Sequence, residues 1–299
     1  MMKKLLFVIN GHSGKGQIKN KLLEIIDLMI KSGYSVNVHT TQEREDATKV
    51  VREQAKHYDL VVCSGGDGTL DEAVTGMMQS EVRTPLGYIP AGSTNDFANS
   101  LKIPKDMIQA AKTAVSGVPF SCDVGEFNGD FFIYVAAFGI FTDVSYATSQ
   151  ELKNVLGHVA YILEGAKRLH TIKSYHMRVE YDEKEIEGDF LLGMITNSTS
   201  VGGFKGMTGK DVHLDDGLFE VTLIHKPKNI LELNEIIASL TNLKDNTDLI
   251  DSFRADRVQF FSEEEIPWTL DGEFGGEHKE VNINNNYRAV DIVIQEKSE

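Results

Sequence analysis

Short apolar runs alternate with amphipathic stretches through the first 120 residues of the chain. The runs predict strands at Leu5–Ile9, Ser35–Thr40, Leu60–Cys63 and Leu86–Ile89. All but Ser35–Thr40 are continuously apolar, a pattern typical of strands in a parallel sheet that is covered on both faces. The stretches between them have helical spacing and predict helices near Ile18–Lys31, Asp46–Tyr58, Leu70–Met78 and Lys105–Ser116. The sequence therefore predicts an α/β fold with a doubly wound, mostly parallel sheet.

The pattern changes after about residue 122. Asn128-Gly129 separates Val124–Phe127 from Phe131–Ala137 and predicts a β-hairpin. Further strands are predicted at Tyr175–Tyr181, Phe190–Thr196, Phe219–His225, Arg257–Phe261 and Pro267–Leu270, with helices near Val144–His170 and Ile230–Leu240. We expect a first domain over residues 1–122 and a second, mainly antiparallel β domain over 123–285. Residues 286–299, which contain the apolar run Ala289–Ile294, are compatible with either domain and are a candidate addition to the first.

Composition restricts the class of protein. A chain of 299 residues is long enough for two hydrophobic cores, and its net charge of −15 argues against a nucleic-acid binder. Its 2 cysteines form no C-x-x-C pair, so neither a disulfide framework nor a zinc site is expected, and the compartment is expected to be reducing. The run Leu5–Ile9 is too short for a signal peptide. We expect a cytoplasmic protein.

The most informative motif is the turn that follows the predicted strand Leu60–Cys63. It contains Gly65, Gly66, Asp67, Gly68 and Thr69 and leads directly into a predicted helix. Glycines let the backbone turn sharply and expose amide N–H groups to an anion, and a helix N-terminus adds partial positive charge. A carboxylate at such a site is explained by a divalent cation between it and a phosphate. The alternative is a strand–helix turn whose glycines serve geometry alone.

Two more loops follow strands of the same predicted sheet. The loop Asn10–Gly16 resembles a phosphate loop but lacks the Gly-Lys-Ser/Thr ending of a Walker A motif. Its candidate nucleotide contacts are Asn10, Gly11, His12, Ser13, Gly14 and Lys15. The loop Pro90–Asp96 adds Ser93, Asn95 and Asp96. Ligands of parallel sheets bind beyond the carboxyl ends of the strands, so all three loops are expected to meet there. The alternatives are a solvent-facing Lys15 and a helix-capping role for Asn95 or Asp96.

Two acidic turns stand out in the second half of the chain. Leu214-Asp-Asp-Gly-Leu-Phe219 precedes a predicted strand, and Leu270-Asp-Gly-Glu273 follows one. Gly272 would let Asp271 and Glu273 approach a substrate closely. Each turn is also compatible with ordinary turn chemistry.

Taken in order, these motifs give the chain a family resemblance over essentially its full length. It resembles the diacylglycerol kinase catalytic family, in its soluble bacterial lipid-kinase branch. Gly65–Thr69 alone is shared with relatives of NAD kinase and 6-phosphofructokinase. The Gly92–Asp96, Leu214–Leu218 and Leu270–Glu273 elements narrow the resemblance to lipid kinases.

The resemblance implies ATP and Mg²⁺ as cofactors, with ATP between loops of the first domain and the acceptor hydroxyl in an interdomain cleft. Asp67 is implied to organise Mg²⁺, Asp271 to be the general base and Glu273 to support the metal–water network. Further implied contacts are the nucleotide contacts Thr41 and Ser93, and a second, structural Mg²⁺ held by Asp216 with backbone carbonyls near His213 and Leu218. The chain departs from the family at Gly11, where proline is usual, and at Gly209–Val212, which leads into this second site.

The expected function is the ATP-dependent phosphorylation of diacylglycerol to phosphatidic acid. The alternatives are a kinase of another hydroxyl lipid (sphingoid or polyprenol), an NAD kinase-like enzyme, and a non-enzymatic nucleotide-binding regulator. Residues 151–179 carry five basic and two acidic side chains, a net +3 that favours transient, peripheral contact with a membrane surface. The sequence leaves oligomeric state open, with a homodimer among the options.

Overall fold

The computed structural model describes residues 2–92, 95–140, 173–198, 212–242 and 247–296. The chain divides into two compact units. Unit 1 is Met1–Val124 with Tyr287–Glu299, and unit 2 is Gly125–Asn286. The predicted helix Val144–His170 lies outside the described residues.

Unit 1 contains a parallel sheet with the strand order β4-β3-β1-β2. Its strands are β1 (Lys3–Ile9), β2 (Tyr34–Thr40), β3 (Leu60–Gly65) and β4 (Leu86–Pro90). The pairs β1–β2, β1–β3 and β3–β4 are all parallel, which confirms the prediction for these strands. The chain leaves unit 1 within β5 (Val118–Phe127) and returns within β13 (Glu273–Ile294), whose Ile292 pairs in parallel with Leu86.

The helices of unit 1 form two packed pairs, α1 with α5 and α2 with α3. The bounds are α1 (Leu22–Lys31), α2 (Asp46–Gln54), α3 (Asp67–Met78), α4 (Asp96–Ser100) and α5 (Met107–Ser116), with 3₁₀ segments at Ser13–Asn20 and Ala55–His57. The predicted helix over Ile18–Lys31 was too long, because Ile18 belongs to the 3₁₀ segment that precedes α1. The predicted start of α3 at Leu70 was too late, since α3 begins at Asp67 inside the glycine turn.

Unit 2 is built mainly from antiparallel strands around an aromatic core. Its elements are β6 (Asp130–Phe132), β7 (Val135–Gly139), β8 (Tyr175–Tyr181), β9 (Lys184–Thr196), β10 (Phe219–His225), α6 (Ile230–Asn242), β11 (Ile250–Ala255) and β12 (Arg257–Leu270), with the first part of β13. In the core the Trp268 ring lies 4.8 Å from that of Phe138 and 5.1 Å from that of Phe260, between ring centroids. None of the helices in the described residues has the length and apolarity needed to cross a bilayer.

Several strands of unit 2 are longer than predicted. The hairpin at Asn128-Gly129 is confirmed, since Gly125–Phe127 pairs with Asp130–Phe132. The runs Arg257–Phe261 and Pro267–Leu270, predicted as separate strands, form one strand that continues through three exposed glutamates with a shift of register. The strand β11 and most of β13 were not predicted. Their polar residues have low strand propensity, and pairing with neighbouring strands overrides that local preference.

Candidate active site

Three loops of unit 1 meet beyond the carboxyl ends of β1, β3 and β4. The Gly66 amide donates to Ser13 Oγ over 3.2 Å, and the Asn10 side-chain amide donates to Thr69 Oγ1 over 3.1 Å. The Ala91 amide donates to the Gly65 carbonyl over 2.7 Å. The loops that begin at Asn10, Gly65 and Ala91 therefore form one hydrogen-bonded cluster.

Glycines allow this close approach of backbones. A Cβ on Gly65 would lie 2.2 Å from Thr69 Oγ1, and one on Gly92 would lie 2.6 Å from Gly66 Cα. Gly14 has φ +54°, and its Cβ would lie 1.7 Å from the Ala91 carbonyl oxygen. A larger residue would have to move backbone at Gly14 and Gly92 and the Thr69 side chain at Gly65, so the loops can pack this closely only with glycine at these positions.

Helix α3 begins in this cluster. Its N-cap is Gly66, which has no side chain that could cap the helix, and Asp67 lies in its first turn. The positive end of the helix dipole is therefore directed at the loops, as in known anion sites. The half-buried Asp67 carboxylate offers the oxygen ligands that Mg²⁺ prefers. The donor chemistry at this position thus fits a magnesium ion with a phosphate.

Tyr88 supports the same cluster from the core. Its hydroxyl donates to the Gly65 carbonyl over 3.1 Å and lies 3.2 Å from Asn95 Oδ1. Burial raises the pKa of Tyr88 well above its ordinary value, and the negative charge of Asp67 raises the pKa further. The hydroxyl therefore stays protonated and acts as a donor.

Asn95 stabilises the loop Pro90–Asp96 by hydrogen bonds within it. It occupies the N-cap position of α4 with φ +53° but makes no side-chain capping bond. Its Oδ1 accepts from the Gly92 amide over 3.0 Å, and its Nδ2 donates to the Gly92 carbonyl over 2.9 Å. The next residue, Asp96, is buried at the start of α4.

The remaining predicted nucleotide contacts divide into two groups. His12 donates its amide to Asn10 Oδ1 over 3.0 Å, and the Thr41 amide donates to the Ile9 carbonyl over 2.9 Å, which places both residues at the same sheet edge. Ser93 and the side chain of Lys15 lie outside the described part of the structure.

Asp271 of unit 2 is held in one conformation at the turn between β12 and β13. Asp271 and Gly272 have φ +50° and +84°, as in the tight hairpin turns in which both central residues are left-handed. The carboxylate is 6% exposed and accepts three backbone N–H groups, from Ile133 at 2.6 Å, Tyr134 at 3.0 Å and Val135 at 2.9 Å. These bonds stabilise the ionised carboxylate and fix its direction. Glu273, two residues on, is exposed.

The segment 133–135 was not among the predicted site residues. Ile133 and Tyr134 lie between β6 and β7, Val135 is the first residue of β7, and the amides of all three donate to the Asp271 carboxylate. The segment contains no polar side chain except the hydroxyl of Tyr134, which donates to the Asp271 carbonyl over 2.8 Å. No local sequence signal marks a segment whose contribution is its backbone amides.

The turn containing Asp216 is paired with an arginine from β11. Asp216 Oδ1 accepts the Leu218 amide over 3.1 Å, and Oδ2 forms an ion pair with the Arg254 guanidinium. Arg254 Nε also donates to Glu220 Oε1 over 3.2 Å. Burial raises the pKa of Glu220 to about 7, opposed by Arg254 and supported by Asp216. Neither Arg254 nor Glu220 was predicted, because the pairing depends on strands that are distant in sequence.

His213, the other predicted residue of that turn, is exposed. Within the described residues there is no group of three or more His, Cys, Asp and Glu side chains placed to hold a metal ion.

The comparisons with known proteins agree with both halves of this arrangement. Residues 4–127 match the diacylglycerol kinase catalytic domain family, and residues 135–290 match the YegS C-terminal NAD kinase beta sandwich-like domain family. A curated diacylglycerol kinase of Bacillus subtilis (strain 168) is 35% identical over 302 aligned residues, covering 100% of this chain and 99% of the relative. One of Staphylococcus carnosus (strain TM300) is 34% identical, covering 93% of this chain and 90% of the relative.

A solved structure has the same fold over nearly the whole chain. The crystal structure of a diacylglycerol kinase from Bacillus anthracis (strain Sterne) gives a TM-score of 0.77 at 24% identity and covers 98% of this chain and 97% of that one. The α/β unit followed by a mainly antiparallel β unit is therefore the fold of this group. The chain belongs to the diacylglycerol kinase family.

Proposed function

We propose that the chain is an ATP-dependent lipid kinase that phosphorylates the hydroxyl group of diacylglycerol to give phosphatidic acid. The observation that carries the proposal is the hydrogen-bonded cluster of three loops around Gly65–Thr69, at the sheet edge where α/β proteins bind ligands. The relatives that align over nearly the full chain are named diacylglycerol kinases, which favours diacylglycerol over other acceptors.

In this proposal the nucleotide phosphates bind at the cluster in unit 1. The amides of the glycine turn and the N-terminus of α3 stabilise the phosphate charge. Lys15 adds a positive charge, and Ser93, Asn95, Asp96 and Thr41 contact the nucleotide or its water shell. Asp67 holds Mg²⁺, which when bound neutralises charge on the transferring phosphate.

In unit 2 the proposed acceptor residues are Asp271 and Glu273. The acceptor oxygen forms a bond to the terminal phosphorus while the bond from that phosphorus to the ADP oxygen breaks, and the hydroxyl proton passes to Asp271. A carboxylate stabilised by three amides is a weak base, but phosphoryl transfer proceeds through a loose transition state in which the proton is needed late. Asp271 therefore orients the hydroxyl first and collects the proton afterwards. Glu273 would help to hold the hydrated magnesium ion.

We propose that the two units have different functions. Unit 1 acts as the nucleotide-binding domain, with a doubly wound sheet like those of 6-phosphofructokinase and NAD kinase, and unit 2 acts as the substrate domain. The packing of α1 with α5 and of α2 with α3 is what helices on the two faces of such a sheet would show.

The lipid substrate requires at least transient contact with a membrane surface, and we propose that a cytoplasmic enzyme docks there peripherally. Of the basic segment 151–179, the structure describes only 173–179. There Arg178 is engaged by Glu180 and, at 3.4 Å, by Glu185, so it adds less positive charge than the sequence count implies. Docking should then depend on Lys167 and Arg168, and charge reversal at both should weaken binding to anionic vesicles.

The proposal is tested with ATP labelled at the terminal phosphate, a mixed lipid extract, NAD and magnesium. We expect label in phosphatidic acid, identified by chromatography against a standard. Label in a phosphorylated sphingoid base or polyprenol would correct the acceptor. Label in NADP with none in lipid would identify an NAD kinase-like enzyme. Nucleotide binding without transfer to any acceptor would indicate a regulator.

A further inference from the structure

We propose that the guanidinium of Arg254, and not a second divalent cation, neutralises and shapes the turn Leu214–Leu218 in this chain. The family resemblance gives this turn a structural Mg²⁺ held by Asp216 and by carbonyls near His213 and Leu218. The side chains found here do not fit that ion, and the inference does not depend on the proposed kinase activity.

Both oxygens of the Asp216 carboxylate already have partners. Oδ2 forms the ion pair with Arg254, and Oδ1 accepts the Leu218 amide over 3.1 Å. A divalent cation on this carboxylate would lie within a few ångströms of the guanidinium, and the two positive charges would repel each other. Metal binding would therefore compete with the ion pair between Asp216 and Arg254.

Arg254 is held in place by the sheet. Strands β10 and β11 are antiparallel, and Glu220 and Arg254 are direct cross-strand partners. The neighbouring residue Phe253 stacks on Tyr181 with 3.6 Å between ring centroids and 14° between ring planes. The strand that carries Arg254 is thus fixed by the register on one side and by ring stacking on the other.

The guanidinium bridges two carboxylates. Its Nε donates to Glu220 Oε1 over 3.2 Å while another nitrogen binds Asp216. Glu220 is 8% exposed, and its other oxygen, Oε2, has no hydrogen-bond partner in the described part of the chain. Arg254 is therefore the cation that compensates this buried acid, and its planar, fork-like donors suit a bridge between two carboxylates. A magnesium ion on Asp216 would displace the guanidinium from this bridge.

The first experiment measures metal content without nucleotide. The full chain with Asp67→Asn, which silences the proposed catalytic metal position, is dialysed against MnCl₂, and bound manganese is quantified by mass spectrometry. We expect less than about 0.1 equivalent, and no difference when Asp216→Asn is added. About one equivalent that Asp216→Asn removes would overturn the proposal.

The second experiment measures thermal unfolding of the otherwise wild-type chain, in EDTA and in MgCl₂. We expect Arg254→Gln and Asp216→Asn each to lower the unfolding midpoint by about 2 °C in EDTA, and the double variant to be no lower than either single variant. The matched control is Arg257→Gln, an exposed arginine at the start of β12, which should leave the midpoint unchanged. Any shift of the unfolding midpoint that MgCl₂ causes in the wild type should be equally large in Asp216→Asn. A magnesium-dependent rise lost in Asp216→Asn, or an Arg254→Gln variant as stable as the wild type, would contradict the role of Arg254.

Discussion

The glycine turn of unit 1 and the acidic turn of unit 2 are held by different kinds of contact. Gly65–Thr69 depends on absent side chains, because a Cβ at Gly65 would collide with Thr69 of the same turn and one at Gly92 would collide with Gly66. Leu270–Glu273 depends on one charged side chain, Asp271, which binds amides up to 138 residues away in sequence. A turn that depends on glycines can be recognised from its own sequence. The contacts of Asp271, by contrast, depend on a segment that is distant in sequence. The two should therefore respond differently to substitution.

Asp271→Ala should have the largest effect on both activity and stability. We expect turnover to fall by roughly 10²–10⁴-fold, because the proposed proton acceptor is lost. Three buried amides would also lose their partner, which should lower the free energy of unfolding by about 3 kcal/mol or more. ATP binding in unit 1 should be nearly unchanged. Turnover, chemical denaturation and ATP titration measure the three quantities separately.

Glu273→Ala is the matched variant in the same turn. Glu273 is exposed, so its removal should lower turnover without lowering the free energy of unfolding. An Asp271→Ala protein with wild-type turnover would refute its catalytic role. Normal stability together with lost turnover would refute the structural role of the three amides.

Gly14→Ala tests the cluster of three loops around Gly65–Thr69, in which Gly14 packs against the loop that contains Ala91. The new methyl would collide with the Ala91 carbonyl, at a backbone angle that also disfavours alanine. We expect the KM for ATP to rise by about 10-fold, equivalent to about 1.4 kcal/mol of lost binding. Gly33→Ala is the control, because Gly33 also has positive φ but its Cβ would have no neighbour within 4 Å. It should lower stability slightly and leave the KM unchanged, so equal effects of the two variants would argue against a nucleotide at this cluster of loops.

Thr69→Val should have a smaller effect on the same cluster. Valine keeps the shape but removes the hydroxyl that accepts from Asn10 over 3.1 Å. Loss of one neutral hydrogen bond costs about 1 kcal/mol, so we expect an ATP affinity about 3- to 5-fold weaker by calorimetry. Thr69→Ser retains the hydroxyl and should bind ATP like the wild type. Identical affinities for valine and serine would show that the loops are held together in another way.

The smallest expected effect is a pH dependence of unit 2. His176 lies 3.0 Å from Asp189 and 3.2 Å from Glu187, and hydrogen bonds to Asp189 and then to Glu187 raise the pKa of His176. A raised histidine pKa stabilises the fold fully below the unfolded-state value of about 6.5, and this stabilisation is lost as pH rises through the folded-state pKa. The denaturation midpoint should therefore fall slightly as pH rises from 6 to 8, and His176→Gln should remove that part of the fall. A wild type and variant with parallel pH profiles would contradict this assignment.

The sequence predicted the parallel strands of unit 1 because β1, β3 and β4 are short apolar runs and helical stretches lie between the strands. It also predicted that the loops at Asn10, Gly65 and Gly92 would meet, which follows from the parallel topology alone. The start of α3 was misplaced, because Asp67, Gly68 and Thr69 resemble a loop in composition and yet occupy the first helical turn.

The contacts of unit 2 were beyond local sequence reasoning. The three amides of 133–135 carry no sequence signal, and Arg254 reaches Asp216 only because β10 and β11 pair in one register. The polar strand β13 was largely missed for the same reason: pairing with β12 makes it a strand, although its own residues favour other structures. Acidic motifs therefore locate a candidate site but do not identify what their carboxylates bind.

We propose above all that the glycine turn Gly65–Thr69 holds the terminal phosphates of a nucleotide. The most direct measurement is a crystal structure with MgCl₂ and an ATP analogue whose terminal phosphate cannot be transferred. We expect phosphate oxygens within hydrogen-bonding distance of the amides of Gly65–Thr69, with magnesium on the carboxylate of Asp67. A well-ordered nucleotide bound elsewhere, with this turn contacting only solvent, would contradict it.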